Sequence, residues 1–437
     1  MSEIARLGRL VLRGVRVVDP ESGTDGRRDV LIEDGDLLGM EPSMPAGVDA
    51  RECRSEGWIL APGLQDMHVH FREPGGEDAE TIMSGARAAA RGGFSRVLTM
   101  PNTSPPIDDR SSVELVLQRG REACGTVVVP ACAITKGLGG KELTEMFELR
   151  DAGALAVTDD GLPVDSPEVM RRAMEYARSA DLLVISHCED RALKGGGVMN
   201  EGYWSSVLGL RGIPAASETI AIARDLDLCR LTGARLHVAH LSTAGGVGLV
   251  RRAKAEGLPV TAETAPHYLA LTEESVKGYD ARFKMNPPLR GADDRAALKE
   301  GLRDGTIDVI ATDHAPHAVE KKEVEFDQAP FGVIGLETSF AVCMAELLET
   351  KVFDWPALIH AMSSRTASIL GWGGGRLVPG RPSDLVLIDP SASWTVRAEA
   401  FASRSRNCPF EGQTLRGRIL LTTASGRVTH IEPELLG

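Results

Sequence analysis

Asp66-Met67-His68-Val69-His70 closes a short apolar stretch, and seven more stretches of the chain close in the same manner. Apolar runs of strand length end at 66–70, 97–102, 127–134, 155–160, 183–187, 236–240, 260–264 and 309–313. Ala-, Arg- and Glu-rich segments such as 78–91 and 167–180 lie between them and carry the helical pattern. Eight strands alternating with helices give an α/β protein, and two layouts compete: a (β/α)8 TIM-type barrel and a doubly wound open sheet. The barrel is preferred because polar residues recur at the C-terminal tips of nearly all the strands, which a barrel converges on one axis.

The ends of the chain read differently. Leu10-Val11-Leu12-Arg13-Gly14-Val15-Arg16-Val17-Val18 and Asp29-Val30-Leu31-Ile32 are β-branched runs broken by Gly and Asp, and 383–388, 417–422 and 426–431 resemble them. The expected organisation is a small β-sandwich domain formed by both termini, residues 1–60 plus 370–437, around a barrel of residues 61–369. No shorter repeat or low-complexity segment stands out, and the Glu- and Lys-rich stretch 317–328 reads as a flexible loop.

The 437 residues are 43% hydrophobic and 25% charged, enough for a large core. A net charge of −13 would repel a polyanion, which argues against a nucleic-acid role. The seven cysteines are odd in number and irregular in spacing, with no C-x-x-C pair, so they read as mostly buried side chains in a reducing compartment. Met1–Arg6 lacks a signal-peptide core, and no run reaches the ~18 apolar residues of a membrane helix, so a cytoplasmic protein is expected.

Eight of the ten histidines lie at or near strand ends: His68, His70, His187, His237, His240, His267, His314 and His317. His68 and His70, two apart in a strand, face one side and suit one metal ion. His187 and His240 each close an apolar strand. His237 differs from His240 by an odd number, so only one of the two should look inward; His240 is the better choice, with His237 against the helices. Asp313 at its strand tip could take and pass a proton, and His314 and His317 crowd the same tip. An anionic bridge between two metals would come from the fourth strand, where Asp159 and Asp160 both stand; alternation turns at most one inward. No lysine lies between Lys141 and Lys194, which excludes a carboxylated-lysine bridge there.

These segments, together with Phe71-Arg72-Glu73-Pro74-Gly75, Met100-Pro101-Asn102-Thr103, Ser186-His187-Cys188-Glu189, Glu263-Thr264-Ala265-Pro266-His267, Lys284-Met285-Asn286-Pro287-Pro288 and Pro330-Phe331-Gly332, resemble the dihydroorotases of the amidohydrolase superfamily, long bacterial type, over essentially the whole chain. The resemblance implies a zinc-dependent hydrolase of pyrimidine biosynthesis that reversibly cyclises N-carbamoyl-L-aspartate to L-dihydroorotate. It implies two Zn2+ per chain bridged by Asp160 and a hydroxide, with His68, His70 and Asp160 on one ion, Asp160, His187 and His240 on the other, and Asp313 touching a metal while serving as the catalytic acid/base. It implies substrate contacts at His70, Arg72, Asn102, Asn286 and His317 and from the backbone at Phe331 and Gly332. A fixed arginine suits a substrate carboxylate.

The rival readings are an allantoinase, a hydantoinase or dihydropyrimidinase, or a non-catalytic scaffold for aspartate carbamoyltransferase. The first group typically uses a carboxylated lysine and substrates without this carboxylate, so Asp160 and Arg72 argue against it; the complete ligand set argues against the scaffold. A complex with aspartate carbamoyltransferase and a homo-oligomer both stay open.

Overall fold

The computed structural model describes residues 7–123 and 125–436 of a mixed α/β protein. Met1–Arg6 and Cys124, which figured in the readings of the N-terminus and the cysteines, lie outside the described residues.

Eight strands pair in parallel in chain order. Leu64–Val69, Phe94–Thr99 and Val127–Pro130 are joined side by side, and a bridge between Cys132 and Val157 carries the pairing to Ala156–Val157. Leu183–Ser186, Leu236–Val238, Val260–Thr264 and Val309–Ile310 follow. The last of these returns to the first: His314 bridges Val69 in parallel, and His70 N–H donates to the His314 carbonyl at 2.8 Å. Each of the eight apolar runs read from the sequence supplies one of these strands.

The terminal strands form one eight-stranded sheet in the order Arg427–Ile431, Thr414–Ala424, Leu385–Thr395, Ile59–Pro62, Arg9–Asp19, Thr24–Glu33, Asp36–Glu41, with Arg51–Arg54 also on Arg9–Asp19. The two chain ends meet where Leu385–Ile388 pairs antiparallel with Ile59–Pro62. Alternation at this seam divides the core. Leu60, Leu385 and Leu387 face the sheet's own apolar core, with Leu10, Leu12, Val30 and Ile32. Ile59, Ala61, Val386 and Ile388 face the opposite way, into the main core with Leu64, Val97 and Val184.

Two local expectations change. The helix expected over 78–91 begins at Ile82, because Thr81 caps it: the Thr81 hydroxyl accepts from Ser84 N, and the Ser84 hydroxyl accepts from Thr81 N. The stretch 317–328, expected as a flexible loop, is tied down. It contains the short helix Val319–Lys322, the buried Phe326, and the buried Lys322, whose Nζ donates to the carbonyls of Pro330 and Gly332 at 2.9 Å and of Lys284 at 3.3 Å. The three carbonyls match the three donors of a charged Lys322, while burial lowers its pKa to about 7.

Candidate metal centre and substrate cavity

His68 leaves the strand Leu64–Val69 and His70 follows its last residue, with both rings turned to one side and their centroids 5.4 Å apart. Asp160 stands at their focus. His68 Nε2 lies 3.4 Å from Asp160 Oδ1 and His70 Nε2 lies 3.6 Å from Asp160 Oδ2. His187 Nδ1 and His240 Nε2 approach Asp160 Oδ1 at 3.5 and 3.7 Å. All five side chains are buried. These gaps exceed a good hydrogen bond, whereas two donors each ~2.0–2.1 Å from one tetrahedral ion stand roughly 3.3 Å apart. Two trios result, His68–His70–Asp160 and Asp160–His187–His240, each with its donor atoms within 4.8 Å of one another. The donor set fits a metal for a second reason: His68 Nε2 and Asp160 Oδ1 are buried without a hydrogen-bond partner, a costly arrangement unless another group completes it.

Asp159 takes no part in either trio. Its Oδ1 accepts from Ile134 N at 2.7 Å and Thr135 N at 3.0 Å, and its Oδ2 accepts from the Thr135 hydroxyl. Burial pushes its carboxyl up to about 6. Burial also pushes Asp160 up, but His68, His187 and His240 outweigh it and hold that carboxyl well below its ordinary range. Just beyond the strand Ala156–Val157, the two adjacent aspartates thus part into one that braces the backbone and one that faces the histidines.

The rings are held in matching tautomers. His70 Nδ1 meets Asn102 Oδ1 at 2.8 Å; an amide oxygen only accepts, so Nδ1 carries the proton and Nε2 keeps its lone pair. His68 Nδ1 is fixed likewise by Glu263 Oε1 at 2.6 Å. Glu263 is buried and also accepts from His237 Nε2 and from His240 N, each at 3.2 Å. The sequence reading gave Glu263 no role. The signal available was an acidic residue inside the apolar strand Val260–Thr264.

His237 was expected against the helices; instead it reaches Glu263 and Thr261 Oγ1, on the same side of the sheet as the centre. The parity argument fails because His240 has φ +34° and so leaves the extended backbone on which alternation depends. His314 also departs from expectation. Its ring turns away from the cavity, with Nδ1 accepting from Gly335 N at 3.2 Å and Nε2 3.4 Å from Glu80 Oε2. His267 is buried against Tyr268, and burial lowers its pKa to about 4.

Asp313 approaches from the last strand, with Oδ1 3.2 Å from His70 Nε2 and 3.7 Å from His68 Nε2. A cavity of about 220 Å3, open to solvent, lies over this group, lined by Arg72, Asn102, Lys194, Asn286, His317, Phe331 and Gly332 together with His70, Asp160, His187, His240 and Asp313. Among the described residues only Nε of the Arg72 guanidinium has a partner, the Pro316 carbonyl at 3.1 Å. Burial brings the Arg72 pKa down to about 10, against the pull of Asp313 and Asp160, so it stays charged near neutrality. Asn286 Nδ2 donates to Glu189 Oε2 at 2.8 Å. His317 Nε2 donates to the Phe331 carbonyl at 2.7 Å, and burial, with Arg72 next, lowers its pKa to about 3; it is therefore neutral. Every residue expected to contact substrate lines this one cavity.

Among the described residues six cysteines are unpaired, five of them buried. No helix there is long and apolar enough to cross a membrane.

Residues 57–245 match the family model described as dihydro-orotase-like. The chain is 49% identical to the dihydroorotase of Syntrophotalea carbinolica over 97% of its own length and 99% of that protein, and 47% identical to the dihydroorotase of Geobacter metallireducens over 96% and 99%. Among solved structures it is similar to the L-hydantoinase (dihydropyrimidinase) of Arthrobacter aurescens, with TM-score 0.84, 25% identity and 97% and 96% of the two chains covered. The dihydropyrimidinase of Brevibacillus agri superposes with TM-score 0.82 at 22% identity over 97% and 95%, a likeness of fold.

Proposed function

The chain belongs to the dihydroorotase family, and from that premise we propose that it is a zinc enzyme that interconverts N-carbamoyl-L-aspartate and L-dihydroorotate at the cavity above Asp160. The observation that carries the reading is the pair of histidine trios sharing one buried carboxylate, with Arg72 and Asp313 at the same cavity. In this reading His68, His70 and Asp160 hold one Zn2+, Asp160, His187 and His240 hold a second, and Asp313 borders the pair. Bound there, zinc supplies Lewis acidity toward a carbonyl oxygen and makes water a stronger acid.

The protein's own residues do the rest. Arg72 is charged, and its free nitrogens face the cavity, so it takes the substrate carboxylate by parallel charge-assisted hydrogen bonds. The carboxylate orients the ring with its amide carbonyl over Asp160. Asn102 fixes His70, and its amide group also borders the ligand. In hydrolysis Asp313 accepts one proton of the attacking water and delivers it to the departing ring nitrogen, and the new carboxyl group releases the water's other proton to solvent; in ring closure that carboxylate first takes up a proton from solvent, and Asp313 passes the ureido nitrogen's proton to the departing hydroxyl, which leaves as water. His317 holds the Phe331 carbonyl, and Phe331 and Gly332 cover the ring and exclude bulk water.

The wider architecture belongs to the same reading: a (β/α)8 barrel of residues 61–369 and a β-sandwich unit of residues 1–60 plus 370–437, meeting at Ile59–Pro62. The ring of parallel pairs closed by His314 and Val69 supports the barrel. The unpaired cysteines accord with a reducing cytoplasm.

The hydantoinase or dihydropyrimidinase reading draws on the structural likeness. Asp160 at the bridging place and Arg72 in the cavity favour a carboxylate-bearing ring. The deciding experiment measures zinc per chain and, on the same preparation, ring opening of dihydroorotate and ring closure of N-carbamoyl-L-aspartate. Folded, zinc-loaded protein that performs neither reaction refutes the proposal; turnover of hydantoin in preference to dihydroorotate would transfer it to the rival.

A further inference from the structure

Of the charged side chains that line the cavity, one has no role in the reaction described above: Lys194, at the end of the short helix Arg191–Lys194. Its Nζ lies 3.0 Å from Glu189 Oε1 and 2.9 Å from Glu189 Oε2, capping both oxygens of a buried carboxylate. It also stands 4.9 Å from the centre of the Phe331 ring. Glu189 is needed where it is: Oε2 accepts from Asn286 Nδ2 at 2.8 Å, the same Nδ2 lies 3.2 Å from His187 Nε2, and Oε2 itself is 3.7 Å from that nitrogen, so the carboxylate sets the Asn286 amide beside His187. A carboxylate in that place has a consequence for the ligand. Its bonded partner Asn286 lines the cavity, so an uncompensated negative charge there would repel an anionic substrate through a poorly screening medium.

We propose that Lys194 is a specificity-determining residue, whose ammonium cancels the Glu189 carboxylate so that the cavity can hold both that positioning group and an anionic substrate. The inference rests on the reading of the site as one for a carboxylate-bearing cyclic amide. It gives the cavity two cations with different tasks. Arg72 has free nitrogens and binds the ligand's charge; Lys194 is occupied by Glu189 and removes a charge that would oppose the ligand.

The substrates provide a charge ladder, because dihydroorotate carries one negative charge and N-carbamoyl-L-aspartate two. Steady-state kinetics in both directions is measured for the wild type, Lys194→Met, Lys194→Arg and the double variant Lys194→Met/Glu189→Gln, with zinc content and thermal melting recorded for each. Lys194→Met is expected to raise KM about tenfold for dihydroorotate and by a clearly larger factor, approaching its square, for N-carbamoyl-L-aspartate. Lys194→Arg keeps the charge and should stay within about threefold of the wild type. The double variant also loses the Glu189 carboxylate that sets Asn286, so its overall rate stays reduced, but with neither charge present its KM penalties on the two substrates should fall back to about the same factor. Equal penalties on the two substrates in Lys194→Met, or a double variant that keeps the larger penalty on N-carbamoyl-L-aspartate, overturn the proposal. Wild-type protein inactive on both substrates would instead refute the functional reading itself.

Discussion

Replacing Glu263 tests how this centre is held together. The carboxylate is buried and reaches His68 Nδ1 at 2.6 Å, His237 Nε2 at 3.2 Å and His240 N at 3.2 Å. Burial alone would push its pKa up, yet His68 and His237 outweigh it and hold the carboxyl far below its ordinary range. It therefore acts as an anion. Glu263→Gln keeps the size and one acceptor oxygen, which can stay on His68. The new NH2 group then faces His237, which can answer by exchanging its ring proton toward Thr261. What is lost is mainly charge: a hydrogen bond to an ionised group contributes about 1.5–3 kcal/mol and a neutral one about 0.5–1.5 kcal/mol. The difference, about 1–1.5 kcal/mol, corresponds to roughly a tenfold weaker hold on zinc. Glu263→Ala removes every acceptor and should reach the ~100-fold end of the range for partners of metal ligands. The His68–His70–Asp160 trio should suffer more than the trio with His187, because Glu263 bonds the ring of His68 but only the backbone of His240. Competition against a chromogenic chelator gives both affinities, and circular dichroism of metal-free protein checks that the variants fold. A Glu263→Gln protein that binds zinc as tightly as the wild type at both sites would refute the assignment of Glu263 as the group that fixes His68.

Four other outcomes follow from the same geometry. Arg72→Ala should keep its zinc and lose about 100-fold or more in kcat/KM on dihydroorotate, as expected for a buried charge-assisted pair; normal turnover would remove Arg72 from the carboxylate site. Asp313→Asn should lower kcat by about 10^2–10^4-fold, the usual contribution of a positioned acid/base, with folding unchanged by circular dichroism. His317 has a folded pKa of about 3 against 6.5 ordinarily, so below 6.5 the unfolded chain binds a proton that the native chain refuses. Its contribution to stability is complete above 6.5 and is lost as pH falls toward 3, so His317→Gln should flatten that acid limb in urea titrations across the window, and an unchanged slope would contradict the burial of a neutral ring. Gly85→Ala would place a methyl 2.3 Å from Phe71 Cδ1, so it should destabilise the fold by about 1–3 kcal/mol and, because Phe71 lies between His70 and Arg72, lower activity as well; a melting curve and a rate measure both.

The sequence carried the strands well because periodicity is a local property. Leu183-Val184-Ile185-Ser186 is apolar, short and followed by a polar tip, and such a run needs no distant information to be read as a buried parallel strand. The same logic placed His68, His70, His187, Asp313 and the pair Asp159 and Asp160 near one another, since strand tips of parallel neighbours converge; the choice of Asp160 came from the family resemblance. Glu263 escaped it because nothing near Glu263 in the chain explains a buried carboxylate. Its partners His68 and His237 are 195 and 26 residues away. The stretch 317–328 misled for a related reason: dense local charge reads as a solvated loop, while Lys322 finds its carbonyls at Pro330, Gly332 and Lys284, beyond the stretch itself.

The errors about side-chain direction have a sharper boundary. Alternation predicts facing only while the backbone stays extended, and the paired strands end at Val69, Val238 and Ile310. His70 still obeys the rule because its N–H remains bonded to the neighbouring His314 carbonyl. Just beyond the paired residues stand Arg72, His240 and Asp313, with φ +53°, +34° and +47°. None is a glycine, so no residue type in the sequence announces the reversal. L side chains enter this region at a cost that the surrounding structure must cover, and such positions gather where function needs a side chain in an unusual direction. At His240 the reversal lets His237 and His240 serve one centre despite their odd spacing: His237 supports Glu263 from within the strand, and His240 turns back to Asp160 from beyond its end. The residues most exposed to misreading by periodicity are therefore those at which the backbone departs from the strand to build the site.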